Sequence, residues 1–216
     1  MALRVALVLR SGGEYRPEHV RALVAQIERH LPGVGVVCLS DVDVPCDRVP
    51  LEYGWRSWWS KLELFRPDLS GDLLYFDLDT VIVGDLSEFK VLSAPTMLSD
   101  FYWPERPASG VMFLTESCRR KVWSRWIESP ERHMVACGRL GDQKFIGDAL
   151  GPVRRFQNVL PGRIVSYKAH VQRKGAHRRA TGNGTVPAGA SVVCFHGRPR
   201  PWGIREDWVP DYAIRR

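Results

Sequence analysis

Apolar residues in the first part of the chain follow two spacings, which predict strands and helices in turn. The continuous apolar run at residues 3–9 predicts a strand that is buried on both faces of a sheet. Apolar residues at helical spacing then predict a helix from about Pro17 to Leu31. Residues 33–41 predict a second strand, which ends at Asp41. The order strand, helix, strand is typical of a mostly parallel sheet.

The rest of the chain continues this alternation without a linker, an internal repeat or a low-complexity tract. Further strands are predicted at residues 73–76, 80–84, 110–114 and 191–197. Further helices are predicted at residues 53–65, at 115–129 with Thr115 as N-cap, and from about Asp142. The tryptophans of these helices are expected in the core: Trp55, Trp58, Trp59, Trp123 and Trp126. We therefore predict a single α/β domain over residues 1–216, with a mostly parallel sheet flanked by helices.

The net charge of +7 is concentrated in the last third of the chain. Residues 1–153 hold 18 Lys and Arg against 21 Asp and Glu, whereas residues 154–216 hold 13 against 3. Residues 154–189 are strand-like only at 162–168 and are interpreted as a long functional loop. This basic region either faces an anionic partner, such as a nucleotide, a phosphorylated substrate or a nucleic acid, or is a solubilising surface.

The cysteines and the apolar runs indicate in which cellular compartment the protein is expected. Five cysteines are scattered without a C-x-x-C pair, which favours reduced thiols and argues against a zinc site. No apolar run approaches the ~20 residues that a membrane-spanning helix needs. The first apolar run is interrupted by Arg10, so it is interpreted as a strand and not as a signal peptide. We therefore expect a cytoplasmic protein.

The stretch LLYFDLDTVIVGDL, residues 73–86, places two carboxylates between apolar runs. Burying unpaired carboxylates close together is costly, so a cation is expected beside them. Residues two apart in an extended segment point the same way, which lets Asp77 and Asp79 address one ligand. Two hard oxygen ligands at a strand end suit Mg²⁺ or Mn²⁺, with substrate phosphates completing the octahedral coordination. The stretch therefore predicts a site for a metal ion and a diphosphate.

Several stretches, in the expected order along the chain, resemble GT-A glycosyltransferases, particularly glycosyltransferase family 8 and its bacterial and phage relatives. They are the Lys-bearing helix WWSKLELF, the Asp-x-Asp stretch itself, the sugar-pocket segment ASGVMFL, the helix start GDQKFIGDAL and the C-terminal element VVCFHGRPRPW. The resemblance covers most of the chain and implies a GT-A-like, Rossmann-like domain. The chain departs from the family in one element, where Arg200 replaces the usual Lys and His196 directly precedes Gly197.

The resemblance implies a site for Mn²⁺ or Mg²⁺ formed by Asp77, Asp79 and His196. Asp79 would bind the metal directly, and Asp77 would contact both the ribose and the metal. A neutral imidazole suits Mn²⁺ better than Mg²⁺, although a lone His after a strand is often an ordinary surface residue. Arg198 and Arg200 are the two candidates for neutralising the departing diphosphate.

The resemblance also implies a donor-sugar site. Asp142 and Gln143 would lie beside the anomeric carbon, Ser109 and Gly110 would line the sugar pocket, and Lys61 would contact the donor. Three of these residues have a purely structural alternative. Asp142 is a possible N-cap, Gly110 a turn residue and Lys61 a side chain that lies along an apolar surface with its charge in water.

The ends of the strands supply the remaining candidates. Arg10, Ser11 and Asp41 follow the first two strands, and open α/β sheets bind ligands at the carboxyl ends of their strands. Asp41 is equally compatible with a simple turn. Leu78 and Gly197 complete the expected contacts to the donor. Three further tryptophans are candidates for a platform on which a sugar ring could pack: Trp103, Trp202 and Trp208.

These observations predict a metal-dependent glycosyltransferase of the hexosyltransferase type. It would move a sugar, with retention, from a nucleotide-diphosphate sugar to an unknown acceptor such as a glycan, a protein or another anionic polymer. UDP is the usual carrier in the family. One alternative is a haloacid-dehalogenase-like phosphatase, because the stretch FDLDTVI resembles the nucleophile loop of those enzymes. In this chain, however, Thr80 replaces the usual Gly. The other is a nucleic-acid-binding module that uses residues 154–179 and 198–205, which leaves the aspartate pair unexplained.

Overall fold

A computed structural model describes residues 3–212, and its centre is a seven-stranded sheet of order β3-β2-β1-β4-β7-β6-β8. These strands are β1 (Arg4–Leu9), β2 (Gly35–Ser40), β3 (Asp47–Pro50), β4 (Leu73–Phe76), β6 (Thr96–Ser99), β7 (Pro107–Leu114) and β8 (Arg154–Arg155). β1, β2, β3 and β4 pair in parallel, and β7 runs antiparallel to both β4 and β6. The mostly parallel α/β sheet is therefore confirmed.

A second, three-stranded sheet lies beside the first and has the order β5-β10-β9. Its strands are β5 (Thr80–Ile82), β9 (Ile164–Ser166) and β10 (Val192–Cys194). β5 begins directly after the aspartate pair and runs antiparallel to β10. The backbone N–H of Phe195 donates to the carbonyl of Asp79 at 3.2 Å. This pairing carries the C-terminal element, from His196 to Arg200, to the aspartates.

Five α-helices accompany the sheets in the described part of the chain: α1 (Pro17–His30), α2 (Glu116–Ile127), α3 (Pro130–Cys137), α4 (Gly141–Leu150) and α5 (Phe156–Val159). Thr115 is the N-cap of α2, as predicted, and its side chain accepts from the backbone N–H of Cys118. α1 also agrees with its prediction, with Pro17 in its first turn. Within residues 3–212, no helix combines the length and the apolarity that crossing a bilayer requires.

The core has one apolar layer on each face of the main sheet. Val5 and Leu7 of β1 pack with the α1 side of the sheet, whereas Ala6 packs with the opposite side. That opposite layer also holds Trp126 of α2 and Phe145 of α4. Because neighbouring residues of a strand face opposite sides, a continuous apolar run is the pattern that a doubly covered strand requires.

Three local predictions are wrong. The helix expected at 53–65 is a 3₁₀ helix at Ser57–Phe65, and Trp58 within it is 49% exposed, not in the core. Part of the expected 154–189 loop is ordered into β8, α5, β9 and a turn of π-helix at Tyr167–Val171. The sugar platform is not formed either, because its three tryptophans pack in separate places: Trp202 on His19, Trp103 against Tyr102, and Trp208 near Tyr167 and Phe195.

A buried arginine of α2 holds the segment that leads into β4. Arg119 is 1% exposed, and its Nη atoms donate to the backbone carbonyls of four residues: Leu64, Arg66, Leu69 and Gly71. Without this side chain those buried carbonyls would lose their charged donor, although that of Arg66 also accepts from the backbone N–H of Leu69 at 3.4 Å. A buried carbonyl without a donor costs more than the net value of the hydrogen bond itself.

We expect Arg119→Met to lower the free energy of unfolding by about 3 kcal/mol, because four carbonyls lose a charged donor. The matched control is Arg120→Met, which removes an exposed ion pair with Glu116 and should cost less than about 0.5 kcal/mol. Urea denaturation measures both. Equal effects of the two variants would show that Arg119 does not stabilise this segment.

Candidate active site

The carboxyl ends of β1 and β4, the start of β7 and the start of α4 surround one cleft of about 910 Å³. The chain turns sharply out of each parallel strand at this edge, which leaves polar side chains free to point into the cleft. The cleft is lined by most of the residues that the sequence predicts as site residues: Arg10, Ser11, Lys61, Asp77, Leu78, Asp79, Ser109, Gly110, Asp142, Gln143, His196, Gly197 and Arg200. Asp41 and Arg198 lie outside this lining.

Lys61 joins the aspartate pair to the start of α4. Its Nζ lies 2.9 Å from Asp77 Oδ1 and 3.1 Å from Asp142 Oδ2, and the side chain is 8% exposed. Burial opposes its charge, but the Asp142 and Asp77 carboxylates outweigh burial and raise the pKa of Lys61. Lys61 is therefore a buried cation between two carboxylates and not a solvent-directed side chain.

Asp142 lies in the first turn of α4, where its carboxylate takes part in this network and does not cap the helix. Leu140 occupies the N-cap position, and no side chain caps the helix there. Asp142 Oδ2 accepts a hydrogen bond of 2.6 Å from Ser109 Oγ, which lies 3.1 Å from Lys61 Nζ. The N-cap alternative for Asp142 is therefore wrong. Lys61 and Ser109 together hold this carboxylate at the cleft.

The second aspartate has a different cation. Asp79 is 6% exposed, and its carboxylate pairs with the guanidinium of Arg200. Arg200 also contacts Glu14 through Nε at 3.1 Å, and it lies over the Tyr15 ring at 5.3 Å from the centroid. Arg198, by contrast, is 83% exposed and pairs with Glu14 at 3.5 Å. Of the two candidate arginines, Arg200 is the one inside the cleft.

The buried cluster has more negative than positive charge. Three carboxylates, of Asp77, Asp79 and Asp142, are paired with two cations, Lys61 and Arg200. Burial, followed by the charge of Asp77, raises the pKa of Asp79 from 3.8 to about 7, although Arg200 opposes this shift. An uncompensated carboxylate among oxygen ligands is suited to a further cation.

The end of the cleft at β1 and β2 is built differently. The backbone N–H of Ser11 donates to Asp41 Oδ1 at 2.8 Å, and Ser11 Oγ donates to Asp41 Oδ2 at 2.7 Å. Arg10 Nε lies 3.5 Å from Asp41 Oδ2. Asp41 therefore fixes the turn after β1, while Arg10 and Ser11 line the cleft.

Two glycines allow close approach of the backbone in the cleft. A Cβ on Gly110 would lie 3.4 Å from Asp77 Oδ2, and the Gly110 carbonyl accepts from the backbone N–H of Asp77 at 2.8 Å. Gly197 has φ +80°, which is a left-handed conformation that favours glycine. Its Cβ position would lie 3.5 Å from Lys168 Nζ. Gly197 therefore has a local structural reason in its backbone conformation, whereas a Cβ at Gly110 would make only an ordinary van der Waals contact.

His196 lines the same cleft but has its own partners. Its Nε2 lies 2.6 Å from Ser166 Oγ, and its ring stacks on Phe101 at 5.5 Å between centroids. Burial, followed by the Lys168 ammonium, lowers the pKa of His196 to about 4, so the imidazole is neutral near pH 7. Among the residues that the structure describes, no group of three or more His, Cys, Asp or Glu side chains is arranged to hold a metal ion.

Several residues of the site were missed from the sequence. Tyr75 donates to Asp77 Oδ1 at 2.5 Å, and Glu14 binds Arg200. Burial and then the Asp79 carboxylate raise the pKa of Tyr15, so its phenol stays protonated. Tyr75 was hidden inside an apolar strand. Glu14 and Tyr15 follow the glycines after β1, where a polar turn that directly follows a strand was a usable signal.

Comparison with solved structures places this fold among glycosyltransferases. GlyE of Streptococcus pneumoniae TIGR4 is 13% identical over 92% of this chain and 56% of its own, with a TM-score of 0.67. The galactosyltransferase LgtC, solved with donor and acceptor sugar analogs, is 14% identical over 92% of this chain and 89% of its own, with a TM-score of 0.61. Mouse xyloside xylosyltransferase 1 is 13% identical over 92% of this chain and 98% of its own, with a TM-score of 0.53.

These similarities confirm the predicted GT-A-like fold. The chain spans 56% of the length of GlyE. No protein-family model and no curated protein matches the sequence. The closer resemblance to glycosyltransferase family 8 therefore stays a prediction, as do the roles of the individual residues.

We expect strong energetic coupling between Lys61 and Asp142, because both are buried and removal of Lys61 leaves Asp142 without a cation, whereas removal of Asp142 leaves Lys61 with Asp77 alone. Lys61→Met alone should lower the free energy of unfolding by about 3 kcal/mol, and a double-mutant cycle with Asp142→Asn should give a coupling of at least about 1.5 kcal/mol. The control cycle is Lys144 with Asp148, an exposed pair on the same helix, which should give about 0.4 kcal/mol. Similar coupling in both cycles would contradict this network.

The raised pKa of Asp79 predicts an unusual dependence of stability on pH in the metal-free protein. A carboxyl whose pKa is higher in the folded protein than in the unfolded chain binds protons more readily when folded, so stability rises as pH falls from about 7 towards 4. Relative to Asp79→Asn, the wild-type protein should gain on the order of 2 kcal/mol between about pH 8 and about pH 5 in EDTA. Urea unfolding at the two pH values measures this difference. A wild-type protein that instead loses stability relative to the variant would show that Arg200 keeps Asp79 ionised.

Proposed function

We propose that this protein is a metal-dependent glycosyltransferase that transfers a sugar from a nucleotide-diphosphate sugar, with UDP as the expected carrier. The observation that supports it best is the buried cluster of three carboxylates and two cations at the carboxyl edge of a GT-A-like sheet. The excess negative charge of this cluster can be neutralised by one more cation. A divalent cation, in turn, commonly binds the diphosphate group of a substrate. The similarity to solved glycosyltransferases supports the same class of enzyme.

Asp77 and Asp79 are the residues that would hold Mn²⁺ or Mg²⁺. Their carboxylate oxygens are the ligand type that both ions prefer, and the excess negative charge around Asp79 favours an added cation. When bound, the metal would stabilise the negative charge of the departing diphosphate. His196 remains a proposed third ligand, and its neutral imidazole is the form that binds metals. Its Nε2 would have to leave Ser166 Oγ for this role.

The cations of the C-terminal element would meet the diphosphate. Arg200 is held between Asp79 and Glu14, so its guanidinium is already positioned inside the cleft. Binding of a metal at Asp79 would free part of this guanidinium for the phosphate oxygens, with which a planar guanidinium makes paired hydrogen bonds. Arg198 lies outside the cleft and contributes charge at its rim. Lys168, beside Gly197, is a further cation for the same group.

The start of α4 and the start of β7 would position the sugar. Asp142 is fixed by Lys61 and Ser109, so a sugar hydroxyl that donates to its carboxylate meets a preorganised acceptor. Gln143 lines the cleft next to it. Arg10 and Ser11 lie at the other end, where the nucleoside would bind. Transfer through an oxocarbenium-like transition state with retention is the outcome that the family resemblance implies.

The two alternatives receive less support. A haloacid-dehalogenase-like phosphatase needs an aspartate free for attack, whereas Asp77 is engaged by Lys61 and Tyr75. A nucleic-acid-binding module would use the exposed basic side chains of this region, such as Arg154, Arg178 and Arg198, but it gives no role to the carboxylates of the cleft. Neither alternative accounts for the buried cluster.

Calorimetric titration of UDP and then GDP into metal-free protein, with and without Mn²⁺, tests the proposal. We expect one nucleotide to bind only with Mn²⁺, because the excess charge of the cluster must be neutralised before a diphosphate approaches. Asp79→Ala should abolish this binding, a loss of about 100-fold or more. The control is Asp85→Ala, which removes an exposed turn carboxylate close in sequence. Absence of nucleotide binding under every metal condition, or full binding by Asp79→Ala, would reject the donor site.

A further inference from the structure

One end of the cleft is formed by side chains that the donor site does not use. Arg56 and Trp58, at the start of the 3₁₀ helix, and Arg139 and Leu140, directly before α4, line the cleft beside Asp142. Trp58 is 49% exposed and Leu140 is 45% exposed, so both present apolar surface to solvent at this end of the cleft. An exposed aromatic ring at the mouth of a cleft offers a flat surface on which an apolar sugar face can pack.

The charges at this end differ from those deeper in the cleft. Arg10, Lys61 and Arg200 are each paired with a carboxylate. Arg56 and Arg139 are exposed, and within residues 3–212 neither guanidinium has an ion-pair or hydrogen-bond partner. This end of the cleft therefore carries positive charge that the protein itself does not compensate, together with an exposed ring.

The backbone around this ring is held in place by two left-handed residues. Ser57 has φ 55°, and it is the only non-glycine residue with positive φ in the described part of the chain. Gly141 has φ +63°, and a Cβ at this position would lie 2.8 Å from Trp58 Nε1. The indole thus packs against the bare backbone of Gly141, directly before Asp142. Backbone strain of this kind is found at functional sites, where the surrounding structure maintains it.

We propose that this end of the cleft is the acceptor subsite and that it selects a saccharide with a negatively charged group, a carboxylate or a phosphate. The proposal rests on the glycosyltransferase function above. Trp58 packs against the sugar ring, while Arg56 and Arg139 bind the anionic group through charge-assisted hydrogen bonds. This arrangement directs the acceptor hydroxyl towards the donor sugar beside Asp142 and Gln143.

Binding of three probe sugars in the presence of Mn²⁺ and UDP tests this subsite. The probes are methyl β-D-glucoside, methyl β-D-glucuronide and glucose 6-phosphate, measured by saturation-transfer NMR titration. At least one anionic probe should bind on the order of tenfold more tightly than the neutral glucoside. Arg56→Gln/Arg139→Gln should remove that preference, whereas Trp58→Ala should weaken binding of all probes that bind. The control Arg21→Gln/Arg132→Gln removes two exposed arginines outside the cleft and should change nothing.

Equal affinity for neutral and anionic probes, no binding of either anionic probe, or an unchanged preference in Arg56→Gln/Arg139→Gln would overturn the acceptor proposal. The two anionic probes distinguish a carboxylate from a phosphate. Calorimetry with UDP on the same samples tests the glycosyltransferase function separately from the acceptor subsite. If UDP binds while the sugars fail these criteria, only the proposed acceptor subsite is rejected. If UDP does not bind the wild-type protein, the proposed glycosyltransferase function is rejected as well.

Discussion

The contact of Lys61 with both Asp77 and Asp142 is the interaction on which the rest of the site depends. Asp77 follows a strand in the middle of the sheet and Asp142 begins a helix on one face, so their relative position is set by packing between separate layers. A buried ammonium between two carboxylates fixes that position, because separation of any one member leaves a charge unpaired in the interior. The end of β4 and the start of α4 are thereby joined at the cleft.

A second constraint comes from the smaller sheet. Pairing of β5 with β10 places Arg200 against Asp79, which no local feature of either segment requires. Arg200 then supplies part of the positive charge that a metal ion would supply beside this carboxylate. The burial and the Asp77 charge that raise the pKa of Asp79 show that this compensation is incomplete. Under the proposed function, the same carboxylate would exchange Arg200 for the bound metal.

The sequence allowed prediction of the features that depend on local pattern. The doubly covered strand β1 and the helix α1 follow from spacing, and the aspartates after β4 follow from the position of a strand end. The extended segment expected at the aspartates is wrong, because Leu78 and Asp79 form a turn in which the Thr80 N–H donates to the Asp77 carbonyl. The exposure of Trp58 was missed because it depends on the left-handed turn at Ser57, which no residue type there signals. The role of Glu14 was missed because its partner Arg200 lies in another element, and that of Tyr75 because it lies within an apolar strand, although its partner Asp77 is only two residues away. Long-range pairing, unlike periodicity, is not visible in one sequence.

The measurement that tests the central claim most directly is anomalous diffraction at the manganese edge from crystals grown with Mn²⁺ and UDP. The account predicts one ion within about 2.5 Å of an Asp79 carboxylate oxygen, with Asp77 and the diphosphate beside it. It also predicts that Lys61 still joins Asp77 to Asp142 and that Arg200 has moved from Asp79 towards the phosphates. An ion bound elsewhere, or a bound nucleotide with the Asp79–Arg200 pair intact and no metal, would contradict the account.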